Sequence, residues 1–239
     1  MRWGVGTGIL AILLAFAVYI VGQVIVASIF EASARGSATT EELDIGVIAY
    51  QFLALGTAIA AGVLVIRRYG VNARALGFRF PGWTPLATAA LTVIPVFLGV
   101  ALLYFLFSTL FPSYHLQGNT QDLLHGKKTL TGLEKIGIFI WAAIEAPITE
   151  ETLFRGMLFQ GLRETVARWL PRTAAVITAA MLSGGVFGAL HFEPQTFPIL
   201  AFLGIVLALI FQYSRSIYAS MLVHGIVNAL AIITLIQSS

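Results

Sequence analysis

The chain contains no cysteine, which rules out disulfides, thiolate nucleophiles and any cysteine-based zinc or iron-sulfur centre, and leaves the redox compartment unreadable. Charge is almost as scarce. Asp, Glu, Lys and Arg together make up 10% of 239 residues, against roughly 25% in soluble domains. The aspartates are Asp44 and Asp122, which fall outside the long apolar runs or at their edges, so a pair of intramembrane aspartates is excluded. No His-Glu-x-x-His helix is present to hold zinc. Ser183-Gly184 follows Met181-Leu182, which spoils a Gly-x-Ser-Gly nucleophile motif. No basic tract invites nucleic acid, and no internal repeat or low-complexity stretch is visible.

Apolar surface is what the chain has in abundance: 58% of residues are hydrophobic and mean hydropathy is +0.90. Runs of about 17 to 25 apolar residues cross a bilayer as helices, whereas a membrane barrel would show short alternating segments, which are absent. The expected fold is therefore all-α: one integral-membrane domain, residues 1–239, folded as a polytopic bundle of about seven spans. Their expected limits are about 5–30, 45–66, 84–111, 136–162, 173–192, 197–213 and 217–237. The first run lacks a convincing cleavage site and is read as a retained helix.

Net charge is +3, carried mainly by arginines between the runs. Arg67, Arg68, Arg74 and Arg79 mark the second loop; Glu31, Glu41, Glu42 and Asp44 outweigh Arg35 in the first. The positive-inside rule then places the amino terminus and the loops holding Arg163, Arg168, Arg172 and Arg215 in the cytoplasm. The third loop, residues 112–135, carries Lys127, Lys128 and Lys135 and is discordant. It is read as a surface linker, with a lid or re-entrant segment as the alternative.

The first three runs hold no Asp, Glu, Lys or Arg, but the fourth reads Glu145-Ala-Pro-Ile-Thr-Glu150-Glu151-Thr-Leu-Phe-Arg155. Ionisable groups in lipid are costly unless paired or hydrated, and mark a functional site by default. Glu151 and Arg155 share a helix face at i, i+4, a spacing that permits an ion pair. Glu150 has no such local partner, and its direction differs by about 100° around the axis, so the two carboxylates are expected to address different neighbours. Pro147 removes a helix hydrogen bond beside Glu145 and can bend the span; Glu145 itself reads as a buried, hydrogen-bonded acid.

Two later spans add Phe187-Gly-Ala-Leu-His191 and His224-Gly-Ile-Val-Asn228, each pairing a polar side chain with its i+4 neighbour. Gly184 and Gly188 form a small-xxx-small spacing that lets another helix approach closely. Alone, His191 reads as an interfacial or hydrogen-bonded histidine near the membrane boundary, and His224 with Asn228 as a polar helix-helix contact. Together with the paired glutamates and Asn228, they supply a base, imidazoles and an amide, the parts needed to activate water and hold an oxyanion.

At these residues the chain resembles the CPBP family of intramembrane proteases, which includes the CAAX prenyl endopeptidases. Three motifs carry the likeness: Glu150-Glu151 with Arg155, Phe187 with His191, and His224 with Asn228, in that order and on separate expected spans. The resemblance covers about residues 136–230, the catalytic core of that family, and it implies an intramembrane glutamate-type endopeptidase. By resemblance Glu150 is the general base on a water molecule, His191 helps to orient that water, and His224 and Asn228 stabilise the oxyanion. Glu151 and Arg155 hold the helix geometry, and Phe187 packs the pocket.

No cofactor is implied, with a zinc-dependent variant using His191, His224 and Glu150 as the alternative. The implied partners are the lipid bilayer and a peptide or protein substrate at the membrane, prenylated or not. The implied location is the plasma membrane of a prokaryote. Other readings are a non-catalytic scaffold or immunity-type protein on the same fold, and a proton-coupled transporter. The second of these leaves the lack of polar groups in the first half unexplained.

Overall fold

The computed structural model describes residues 6–14, 17, 21, 56, 59–60, 63–64, 67–70, 72–111, 113–114 and 132–238. All regular structure among them is helical, and the protein is a helical membrane bundle. Four helices are long and apolar enough to cross a bilayer: Trp83–Leu110, Arg172–Ala189, Phe197–Ser214 and Ile217–Thr234. They correspond to the third, fifth, sixth and seventh expected spans. Most of the first and second expected spans lies outside the described residues, as does nearly all of the third loop.

The span Trp83–Leu110 is two helices, α1 (Trp83–Leu91) and α2 (Val93–Leu110), joined at Thr92. The Thr92 hydroxyl turns back to the Ala89 carbonyl at 2.6 Å, a local bond that competes with the helical ladder. Leu91, Ile94, Leu98, Leu102 and Phe105 are each about two-thirds exposed. In water a stripe of this kind is an aggregation surface; here it is the lipid face.

The fourth expected span is not a plain helix. It is built from α3 (Gly132–Ile140), a π-helical turn Trp141–Glu145, α4 (Ala146–Leu153), a second π-helical turn Phe154–Phe159, and α5 (Gln160–Val166). Proline explains the first irregularity. The Ala146 N–H bonds Trp141 O, five residues back, and the next donor in that register belongs to residue 147, which as proline has none. π turns of this kind are rare and recur at functional sites.

The second π turn lies in the core. Phe154, Met157 and Leu158 pack with Leu153, with Leu76 of a 3-10 turn at Ala73–Leu76, with Phe187, and with Ala11 and Ile12 of the helical stretch 6–14. Gly8 allows that approach, since a Cβ there would lie 2.7 Å from the Leu158 Cα.

Three further helices complete the bundle: α6 (Arg172–Ala189), α7 (Phe197–Ser214) and α8 (Ile217–Ser238). The expected close approach at Gly184 and Gly188 is made to α7, where Cβ atoms would fall 2.8 Å from Ala201 O and 2.9 Å from Ala201 N respectively. Gly204 of α7 returns the contact, its would-be Cβ 2.8 Å from the Gly184 Cα. Backbone therefore meets backbone along this seam, leaving the Gly204 carbonyl within reach of α4 and its π turn. Between α7 and α8, Arg215 adopts a left-handed conformation (φ 56°) and the Ser216 hydroxyl accepts from Tyr218 N at 3.2 Å, capping the start of α8.

Candidate active site

Arg155 organises the buried half of the site. It and Glu151 are both fully buried, with Nη1 to Oε1 at 2.8 Å. Its Nη2 donates to the Gly204 carbonyl at 3.1 Å. The guanidinium also lies 4.7 Å from the centre of the Phe187 ring, a cation-π contact strengthened by the absence of water. The i, i+4 pair is thus tied to both α6 and α7. Gly204 was not legible as a site residue, because a glycine carbonyl carries no sequence signal beyond the small side chain.

Glu151 uses the same Oε1 to accept from His224 Nδ1 at 3.0 Å. A carboxylate acceptor fixes the proton on Nδ1 and turns Nε2 to the other side of the ring. There Nε2 lies 3.8 Å from Glu150 Oε2. The adjacent glutamates therefore do not address separate neighbours. They diverge around the helix, but the two ring nitrogens of one imidazole also diverge, so a single histidine lies between them.

Their surroundings differ sharply. Glu151 is fully buried, while the Glu150 side chain keeps 25% of its surface exposed. Even so, Glu150 Oε2 itself is buried and has no hydrogen-bond partner among the described residues, and neither has the neighbouring Thr149 hydroxyl. Glu145, 4% exposed, sits at the end of the first π turn. Ser220 is fully buried one turn before His224 and donates to Ile217 O at 3.0 Å.

Asn228 answers the defect made by Pro147. Its Nδ2 donates to the Ala142 carbonyl at 2.9 Å, the acceptor whose π-register donor would have been the missing amide of residue 147. Gly225 serves the same junction, because a Cβ there would lie 2.6 Å from Ala143 O. The His-Gly-x-x-Asn stretch is thus fitted to the irregular backbone opposite it. One Asn228 N–H is committed to Ala142, leaving the amide a second N–H and its oxygen.

His191 stands where α6 runs out. Its backbone N–H bonds Gly188 O at 3.3 Å, three residues back, so the Phe187 carbonyl loses its usual i+4 donor. The ring supplies one: Nδ1 lies 2.8 Å from Phe187 O, which leaves Nε2 as the acceptor nitrogen. Phe187 is 1% exposed, and its ring centre lies 4.9 Å from that of His191 and 5.8 Å from that of His224. The two imidazoles share this aromatic as a common wall.

Among the described residues no group of three or more His, Cys, Asp and Glu side chains could hold a metal.

Compared with known families, residues 132–230 match the model described as type II CAAX prenyl endopeptidase, Rce1-like. The match begins at α3, ends within α8, and contains every site residue named above. No curated protein and no solved structure matches the chain.

Proposed function

We propose that this chain, whose residues 132–230 are a domain of the CAAX protease family, is an intramembrane endopeptidase in which Glu150 activates water. One observation carries the reading. Glu150 Oε2 is a buried carboxylate oxygen without a protein partner, 3.8 Å from His224 Nε2 on a side chain that still reaches the surface. Buried polar atoms are satisfied by water where protein offers nothing, and this one can share its water with an imidazole.

In this mechanism Glu150 takes a proton from the water, and the water oxygen bonds to the carbonyl carbon of the scissile peptide. His191 accepts a hydrogen bond from that water at Nε2, its proton being held on Nδ1 by Phe187 O. The developing oxyanion receives the second Asn228 N–H and, when His224 is doubly protonated, its Nε2–H. Glu150 then returns the proton to the leaving amine as the C–N bond breaks. Glu151, Arg155 and the Gly204 carbonyl act through His224, fixing its ring plane.

The substrate is a peptide or protein held at the bilayer; a prenyl anchor is the form named in the family description. Topologically, Arg79 Nε donates to the Arg215 carbonyl at 2.5 Å, so two arginine loops meet at one end of the bundle, which we assign to the cytoplasm.

The test is a screen of fluorogenic membrane-anchored peptides against the protein in liposomes, with and without chelator. Cleavage that persists in chelator supports the glutamate mechanism. Cleavage lost to chelator and restored by zinc assigns the chemistry to a metal. No cleavage of any anchored peptide by folded protein favours a non-catalytic scaffold.

A further inference from the structure

A second feature lies at the arginine-rich end, away from the glutamates. Arg163 is eight residues beyond Arg155 on the same helical run, about 12 Å at 1.5 Å per residue. There α5, α6 and the α7–α8 junction enclose a cleft of about 270 Å³ lined by Arg163, Glu164, Arg172, Gln212 and Arg215. Three guanidinium groups face one carboxylate.

Only one of the three is neutralised. Arg163 donates to Gln212 Oε1 at 2.6 Å and lies 3.2 Å from Glu164 Oε1, which holds its planar fork in place. No carboxylate among the described residues pairs with Arg172 or Arg215. Arg172 and Arg215 are exposed, so two open guanidiniums beside a fixed third offer an anion a place to dock, and their fork geometry suits phosphate oxygens. Arg172 also opens α6, where no side chain caps the free backbone donors, so the helix adds to the positive potential.

The surroundings point to the membrane surface. Trp169 is 75% exposed and Tyr213 68% exposed; each lies within a few residues of the cleft, and such aromatics gather where lipid meets water. Basic pockets between helices at the cytoplasmic face take anionic head groups.

We propose that the cleft between Arg163, Arg172 and Arg215 is a binding site for a phosphate group, supplied by an anionic phospholipid of the leaflet in which this end of the bundle sits. It is independent of the proteolytic reading and stands if that reading fails.

The measurement is thermal unfolding of the full chain in detergent, titrated separately with phosphatidylglycerol, phosphatidylcholine and inorganic phosphate. The comparison variants are Arg172→Gln with Arg215→Gln, and Arg67→Gln with Arg68→Gln as a charge-matched control. A saturable rise in melting temperature is expected with phosphatidylglycerol but not phosphatidylcholine. Its apparent affinity should weaken at least tenfold in the first double variant, stay unchanged in the control, and fall as salt is raised. An equal rise with inorganic phosphate, lost in the same variant, keeps the phosphate site but makes its ligand a soluble anion. The proposal is overturned if neither phosphate source shifts the wild type, or if both double variants respond alike. Should the Gln pair fail to fold, Arg172→Lys with Arg215→Lys replaces it: two point charges in place of forks should weaken the response without abolishing it.

Discussion

Glu151 and His224 are joined at 3.0 Å inside the bundle, on a carboxylate that also holds the buried Arg155. Glu150, one residue earlier, meets the same imidazole from its other nitrogen. Adjacent and chemically identical side chains therefore carry different loads. Replacing Glu151 by Gln leaves Arg155 buried without its counter-charge, and breaking such a pair costs about 3–5 kcal/mol. Glu150→Gln removes no ion pair of that kind. Thermal unfolding in detergent should show a large loss for Glu151→Gln and little change for Glu150→Gln, with peptide cleavage strongly slowed in both.

Asn228 has two tasks that substitutions can separate. Asn228→Leu orphans the Ala142 carbonyl, at a cost of about 1–3 kcal/mol, and removes the proposed oxyanion donor. Adding Pro147→Ala restores a backbone N–H one residue on from Ala146. The double variant should regain much of the lost melting temperature and none of the lost kcat. Recovery of both would mean that Asn228 serves the backbone alone.

Gly225→Ala places a methyl against Ala143 O, where a Cβ would sit 2.6 Å away. Backbone cannot yield as a side-chain tip can, so α8 must shift, at about 1–3 kcal/mol as for other overpacked sites. Because His224 precedes this glycine, kcat should fall more than KM rises. A variant with wild-type turnover and unchanged stability would show that the α8 contact is looser than the structure has it.

The extent to which all this was legible in the letters follows from where signals are carried by side chains. The Glu151–Arg155 pair follows from i, i+4 spacing alone, and the close seam at Gly184 and Gly188 from small residues one turn apart. The long apolar runs show the α1–α2, α6, α7 and α8 spans, whose lipid faces need no partner. The segmented fourth span was not legible, because hydropathy and a 100° phase assume an unbroken α-helix. Two π turns shift that phase. The shared imidazole, the Ala142 acceptor of Asn228 and the Gly204 anchor of Arg155 could not be read for a second reason: each is a contact to backbone or across helices. Pro147 was the one letter that marked the first irregularity.

The central claim is that Glu150 draws the proton from water, and its most direct test is the single-turnover cleavage rate of Glu150→Gln against wild type in liposomes. Melting temperature is measured on the same samples. Loss of a general base predicts a rate lower by about 10²- to 10⁴-fold with melting unchanged. A folded Glu150→Gln protein cleaving at the wild-type rate would contradict the account.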